Sequence, residues 1–268
     1  MIVERAAALL AEHGIETPRA DAEWIVAHVL GVKRSSLVTL CHEVDDAAVW
    51  PLVQRRTLRE PLAYVLGEWD FRRLTLRCDV RALVPRPETE VVVERCLELL
   101  RGVTCPRVLD VGTGTGAIAL ALADELEGAE VVATDASADA LELARENARL
   151  TGLRVELLQQ DLRRGLPAGP FDLVVSNPPY VAPEDVAALP PEVGEHEPRT
   201  ALIESGATEA IAEEALSRLV RGGSLAFEVA DGKAHAVADL LSGLRYEEVT
   251  VRKDLAGRER VVDGRTPR

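Results

Sequence analysis

C-x-x-C spacing is absent from this 268-residue sequence: Cys41, Cys78, Cys96 and Cys105 stand far apart, with no histidine pair at ligand spacing beside them. That removes a zinc site and a redox motif, predicts no bound metal, and leaves small buried or half-buried thiols. His13, His28, His42, His196 and His235 form no i,i+4 pair and read as surface or packing residues rather than catalysts. No apolar run approaches the roughly 18 residues of a membrane span. The stretch from Met1 to Gly14 carries Glu4, Arg5 and Glu12 among its apolar residues, so a cytoplasmic location with reduced thiols is expected. Lysine is nearly missing: of 31 basic residues only Lys33, Lys233 and Lys253 are lysines, a bias that genome composition explains as well as any function. A basic excess is missing too. The net charge of −14 argues against a wide grip on nucleic acid phosphates and favours a protein or small-molecule substrate. There is no internal repeat and no low-complexity tract.

What is present suffices for a real core, since 47% of the residues are hydrophobic and the length allows one large domain or two smaller ones. The first 60 residues read as helices only. Val3, Ala7, Leu10 and Ala11 fall at helical spacing and stop at Gly14. Thr17 and Pro18 supply a cap and a first-turn proline for a helix carrying Ala22, Ile25, Val26, Val29 and Leu30, ending at Gly31. A third helix is expected from Asp46 to Arg59, with Pro51 either removing one internal hydrogen bond or moving the start to Trp50. Such stripes need partners, so a small helical bundle is predicted over residues 1–66. From Gly67 to Val84 the pattern turns to alternation, with Phe71, Leu74, Leu76 and Val80 among charged residues, and a hairpin linker is expected over 67–84. Thereafter strands (108–111, 131–134, 155–158, 173–176) alternate with helices (117–126, 138–150). A helix over 207–220, a strand over 224–229, a helix over 234–241 and strands over 247–251 and 260–262 complete the list. Alternation of this kind is the signature of a parallel sheet with crossover helices, so residues 85–268 are assigned to the α/β class.

Three motifs carry chemistry. Asp110-Val111-Gly112-Thr113-Gly114-Thr115-Gly116-Ala117 follows the first strand of the α/β region and opens a helix. Its glycines allow close approach of a ligand, and the helix start offers N–H groups. Gly112, Gly114 and Ala117 also satisfy a relaxed dinucleotide fingerprint, so a dehydrogenase stands beside a methyltransferase at this point; Asp110, an acid two residues before the first glycine, favours a nucleoside-sulfonium binder. Asp135, at the end of the second strand, is placed to take both hydroxyls of a ribose, or to cap the helix near Ser137. Asp161, after the third strand, is open between an adenine amino group and an ordinary loop position.

The third motif is Asn177-Pro178-Pro179-Tyr180, directly after the apolar run Phe171 to Ser176. An Asn carboxamide oxygen and the carbonyl of a proline accept both hydrogens of a planar –NH2 group. The residue before a proline is held extended, which projects Asn177 from the strand's carboxyl end, where open α/β sheets collect ligands. Hydride transfer has no use for two acceptors aimed at an amino group, whereas methyl transfer to nitrogen does. Tyr180 is suited to pack its ring on the planar amide.

Taken together these strings resemble the HemK-type release factor glutamine N5-methyltransferases, from Arg56 in Arg55-Arg56-Thr57-Leu58-Arg59-Glu60-Pro61-Leu62-Ala63-Tyr64-Val65-Leu66-Gly67 to the end. Leu83-Val84-Pro85-Arg86-Pro87-Glu88-Thr89-Glu90 is the family's most distinctive string. The resemblance implies a Rossmann-like seven-stranded class I methyltransferase domain preceded by a small all-α helical bundle that docks the substrate. It implies methylation of the glutamine in the Gly-Gly-Gln loop of class 1 peptide chain release factors by a monomer with no direct nucleic acid binding. Carried over by position, Gly112, Thr113, Gly114, Gly116 and Asp135 bind S-adenosylmethionine, with Asp161 near the adenine and Asn177 beside the cofactor. Asn177, Pro178, Pro179 and Tyr180 hold the glutamine, and Phe71, Pro87 and Thr89 close the site. Glu197-Pro198 and the pair Asp254 and Arg260 match family positions of structural role. For Arg86, Glu88 and Glu90 a charged helix start explains the residues equally well. The sequence departs from the family at Arg59, where glycine is common, and after Glu228, where Val229-Ala230-Asp231-Gly232-Lys233 lacks the usual glycine and glutamine. The competing function is N-methylation of an exocyclic amine of adenine or guanine in DNA or RNA, which the acidic balance disfavours.

Overall fold

The computed structural model describes residues 2–38 and 45–268; Cys41 and His42 lie outside the described residues. The chain forms two compact units, Met1–Glu68 with Leu189–His196, and Trp69–Ala188 with Glu197–Arg268. In chain order the elements are α1 (Ile2–Glu12), α2 (Pro18–Leu30), α3 (Asp46–Thr57), α4 (Leu62–Leu66), β1 (Glu68–Phe71), β2 (Leu74–Arg77), α5 (Thr89–Leu99), β3 (Arg107–Val111), α6 (Ala117–Glu125), β4 (Glu130–Asp135), α7 (Ala138–Thr151), β5 (Glu156–Gln159), β6 (Phe171–Ser176), α8 (Pro191–Gly194), α9 (Arg199–Leu202), α10 (Ala207–Ala215), β7 (Leu219–Glu228), α11 (Ala234–Gly243), β8 (Glu247–Lys253) and β9 (Glu259–Arg265). Among the described residues no helix is long and apolar enough to cross a membrane.

In the helical unit Ala6, Leu10, Ala22, Ile25, Val26, Val49 and Val53 are buried, the stripes expected from their spacing. Gly31 ends α2 at φ +63°, but Thr17 does not cap it; its hydroxyl donates instead to Asp21 at 2.7 Å. Pro51 lies inside α3, whose start is capped by Asp45 accepting from Ala47 N at 2.9 Å. The centre of the unit is ionic. Buried Arg56 donates from Nε to Asp21 at 2.7 Å and from Nη2 to Glu192 at 2.9 Å, and Arg59 Nη2 reaches the other Glu192 oxygen at 2.7 Å.

In the other unit, β1 and β2 pair as the expected hairpin, and the seven-stranded sheet has the order β5-β4-β3-β6-β7-β9-β8. β3 to β7 run parallel, and β9 lies antiparallel to both β7 and β8. One face packs Val108, Ala133, Leu173, Val175 and Ala226 against α5 and α6; the opposite face packs Leu109, Val174, Leu225 and Phe227 against α10 and α11. The expected helix over 207–220 is shorter than its apolar pattern suggests. α10 stops at Ala215, because Leu219 already pairs with Phe171, and a register shift before Leu173 then sets Leu173 opposite Ser224. Cys78 and Cys96 are buried and burial pushes both thiols up, Cys78 to about 12; Cys105, expected to be at least half-buried, is exposed in the loop before β3.

Candidate active site

β3 lies between β4 and β6, so its loop emerges at the switch point where the crossovers diverge, which is where open α/β sheets hold ligands. Val111, the last residue of β3, faces Thr134 of β4 and Ser176 of β6 in register. The glycine loop, Asp135 and Asn177 therefore leave the sheet side by side. Ser176, legible in the sequence only as a strand end, donates its hydroxyl to the Val111 carbonyl at 2.7 Å and ties the two strand ends together.

Gly112, Gly114 and Gly116 sit at φ +75°, +56° and +86°, a region that side chains rarely enter. A Cβ on Gly116 would also lie 3.1 Å from Leu120 Cδ1. The N–H groups of Gly112 and Thr113 both donate to Thr134 O, at 2.8 and 2.9 Å; Gly114 N donates to Asp135 Oδ2 at 2.9 Å and Gly116 N to Thr113 O at 2.8 Å. These four bonds hold the loop in shape and leave its glycines open to close backbone approach, at the start of α6 (Ala117–Glu125).

The Thr113 side chain turns inward, its hydroxyl donating to Asp110 Oδ2 at 2.6 Å. Asp110 is fully buried with its Oδ1 unsatisfied, and burial pushes its carboxyl up to about 7 against hydrogen bonds from the Thr113 hydroxyl and the Ala119 N–H. Asp135 accepts from Gly114 N and from Ser137 N, both at 2.9 Å, leaving lone pairs for hydroxyl donors. Burial raises its pKa while those backbone bonds lower it. The cap of α7 is Ser137, accepting from Ala140 N at 3.2 Å. Asp161 accepts from Arg163 N at 2.9 Å, and the Arg163 guanidinium beside it holds its carboxyl at about 2.

Asn177 and Tyr180 are half-buried and Pro178 is buried. Beyond them Val181 N donates to Leu202 O at 2.9 Å and Val181 O accepts from Glu204 N at 2.8 Å, anchoring the lip's far end. Phe71 is a core side chain beside Leu76, Val92 and Val93. Pro87 is exposed; Thr89 is buried and donates its hydroxyl to Glu228. Arg86 Nη2 reaches both oxygens of buried Glu197, at 2.8 and 2.6 Å, so Glu197 braces the Leu83 to Glu90 string. Glu90 accepts from Arg72 N at 3.0 Å, as a helix-start residue tied to the hairpin. Asn147 went unnoticed in the sequence. Fully buried on α7, it accepts from Arg77 N at 2.7 Å and donates to Arg77 O at 3.1 Å and Thr115 O at 2.9 Å, joining hairpin and glycine loop. An asparagine on the apolar face of an amphipathic helix was the available signal.

Residues 2–67 match the family model described as the PrmC N-terminal domain, and residues 90–192 match the methyltransferase small domain. The release factor glutamine methyltransferase of Deinococcus radiodurans is 44% identical over 98% of this chain and 97% of its own length. The protein of the same name from Bordetella pertussis is 42% identical over 96% and 97%. Among solved structures, a methyltransferase from Pyrococcus furiosus superposes with a TM-score of 0.54 at 21% identity, covering 73% of this chain and 90% of that one. A T. thermophilus 16S rRNA methyltransferase in complex with AdoMet and guanosine gives 0.56 at 20% identity, covering 74% and 49%. At those identities the structural likeness is one of fold.

Proposed function

The chain belongs to the release factor glutamine methyltransferase family, and from that premise we infer that it methylates the side-chain amide nitrogen (N5) of the glutamine in the Gly-Gly-Gln motif of class 1 peptide chain release factors. S-adenosylmethionine is the methyl donor. The observation that carries the reading is the position of Asn177, one residue beyond Ser176, whose register partner Val111 leads into the glycine loop. Acceptor lip and donor loop thereby share one edge of the sheet.

An amide nitrogen is a poor nucleophile because its lone pair is delocalised into the carbonyl. Asn177 Oδ1 and the Pro178 carbonyl accept its two hydrogens, orient the nitrogen, and bind it more strongly as positive charge develops during transfer. Pro179 keeps the lip extended, and Tyr180 packs on the planar amide. Gly112, Gly114 and Gly116 let the donor lie against the backbone, with Thr113 acting through Asp110 and Asp135 taking the ribose hydroxyls. Asp161 meets the adenine amino group in competition with Arg163. Thr89 and Pro87 flank the entrance, and Phe71 supports it from the core. Residues 1–66 dock the release factor, and the enzyme acts as a monomer without direct contact to nucleic acid, a reading supported by the net charge of −14.

Purified protein incubated with labelled donor and a release factor is expected to label the factor, and to label neither a factor whose Gly-Gly-Gln glutamine is replaced nor DNA or RNA. Equal label on the replaced factor sinks the assignment, and label on nucleic acid at moderate salt favours an exocyclic amine instead. Asn177→Ala is expected to lower kcat about 100-fold or more, as loss of one oxyanion-hole donor does in other transfers, while calorimetry finds cofactor affinity unchanged.

A further inference from the structure

Methylation leaves the amide nitrogen with four bonds and one proton to lose. Asn177 and Pro178 hold its hydrogens, but a carboxamide oxygen and a peptide carbonyl are too weakly basic to keep either. One carboxyl group stands where it can take the proton. Glu228 ends β7, and the residue before it, Phe227, lies in register with Ser176. Glu228 and Asn177 are thus the next residues on two neighbouring strands, which run about 4.8 Å apart.

Side-chain alternation puts both on one face. Val175 and Ala226 belong to the core layer covered by α5 and α6, whereas Val174, Leu225 and Phe227 belong to the opposite layer. Asn177 follows Val175 by two residues and Glu228 follows Ala226 by two. Thr89, the first residue of α5, accordingly donates its hydroxyl to Glu228. Glu228 is 1% exposed, and its Oε2 has no hydrogen-bond partner. An unsatisfied buried acceptor costs about 1–3 kcal/mol and is rare without a role. Asp110 also has a free oxygen, but it lies on β3 under the glycine loop, bonded to Thr113.

We propose that Glu228 is the proton acceptor of the reaction. The N–C bond forms as the C–S bond breaks, its electron pair stays on sulfur, and the surplus proton passes from nitrogen to Glu228 Oε2 and then to water. This rests on the assignment of Asn177 and Pro178 to the glutamine amide. Glu228 is faced by Arg86 and Glu88 from the segment before α5, by Thr89 at the start of α5, by Tyr180 from the lip and by Arg260 from β9. Burial pushes its carboxyl up to about 7, against the Thr89 hydrogen bond and the charges of Arg260 and Arg86, with Glu88 adding to the rise. A base poised near neutrality accepts a proton efficiently and releases it again.

Single-turnover methyl transfer to a release factor is measured for wild type, Glu228→Gln and Glu228→Asp from about pH 5.5 to about pH 9, spanning the raised carboxyl range, with cofactor binding followed by calorimetry. The wild-type rate should fall on the acid side through a pKa near 7. Glu228→Gln should bind cofactor normally, lose about 100-fold in rate at neutral pH and lack the acid limb, whereas Glu228→Asp keeps the limb at a reduced rate. A Gln variant with the wild-type rate, or with the limb unchanged, overturns the proposal. So does a wild type that labels the factor with a flat acid profile, a result that needs no variant to fold. A wild type that labels no release factor overturns the parent assignment and this one with it.

Discussion

Asp21 and Glu192 of the helical unit are each met by a guanidinium, Asp21 by Arg56 and Glu192 by both Arg56 and Arg59. Asp110 and Glu228, at the carboxyl edge of the sheet, each receive a threonine hydroxyl, Asp110 the Ala119 N–H as well, and each keeps an oxygen with no partner. The titration follows the contacts. Burial pushes Glu192 up, but its own backbone N–H and the guanidinium groups of Arg56 and Arg59 hold it below the usual carboxylate value; burial prevails at Asp110 and Glu228, both at about 7. Acids paired with arginine act as structure, and removing one partner strands the other. Acids that burial leaves with an unsatisfied oxygen are raised toward neutrality, the range in which a carboxyl can exchange a proton.

The sharpest way to break this contrast is Arg56→Ala. It leaves Asp21 and Glu192 without their shared cation and should cost the helical unit about 3–5 kcal/mol, read from denaturant unfolding by the fluorescence of Trp24 and Trp50. A loss under about 1 kcal/mol, the worth of an exposed pair, would erase the distinction.

Stability against pH comes next. Glu228 titrates at about 7 in the folded protein against an ordinary 4.5, so the stability it contributes is present below pH 4.5 and is lost as pH rises through about 7. Glu228→Gln should therefore melt higher than wild type at about pH 8, by on the order of 3 kcal/mol, with much less difference at about pH 5. Glu192 has the opposite sign: lowered in the fold, it stabilises above pH 4.5 and loses that contribution as pH falls through its folded value. Glu192→Gln should thus cost stability at neutral pH and little in acid. The same slope for both variants would dissolve the comparison.

Arg59 tests it most finely. Its φ of +64° costs about 1 kcal/mol for a residue with a Cβ, which explains why glycine is common there in the family that the sequence resembles. Its side chain repays that strain by donating to Glu192 and to the Gly14 carbonyl. Arg59→Gly relieves strain and loses the contacts, and should change stability by less than about 1 kcal/mol; Arg59→Ala keeps the strain and should be the less stable of the two by about 1 kcal/mol, by equilibrium unfolding.

Much of the fold was legible because its signals are local. Helical spacing placed α1 to α3, Gly31 marked the end of α2, and alternation located the hairpin and the strands that precede each motif. The exceptions share a cause. α10 ends before its apolar pattern does because a strand pairing with Phe171 competes for Leu219. Residues 189–196 stand between lip and α10 in sequence but belong to the helical unit through Glu192, whose partners lie 133 and 136 residues away. Of the site, the glycine loop, Asp135 and Asn177 announced themselves by motif, whereas Asn147, Ser176 and Glu228 are single polar residues whose meaning depends on what they meet.

Residue types at short spacing determined the class of chemistry: an asparagine before two prolines after a strand offers two acceptors to an amino group, whatever lies around it. Which groups stand beside that lip was decided by the order of strands in the sheet. Register across β3, β6 and β7 brings Val111, Ser176 and Phe227 level although they are 65 and 51 residues apart in the chain. Burial then sets the charge of the carboxyl next to them. Local conformation follows from neighbours in the sequence, while proximity and dielectric follow from packing, which no short stretch of chain contains.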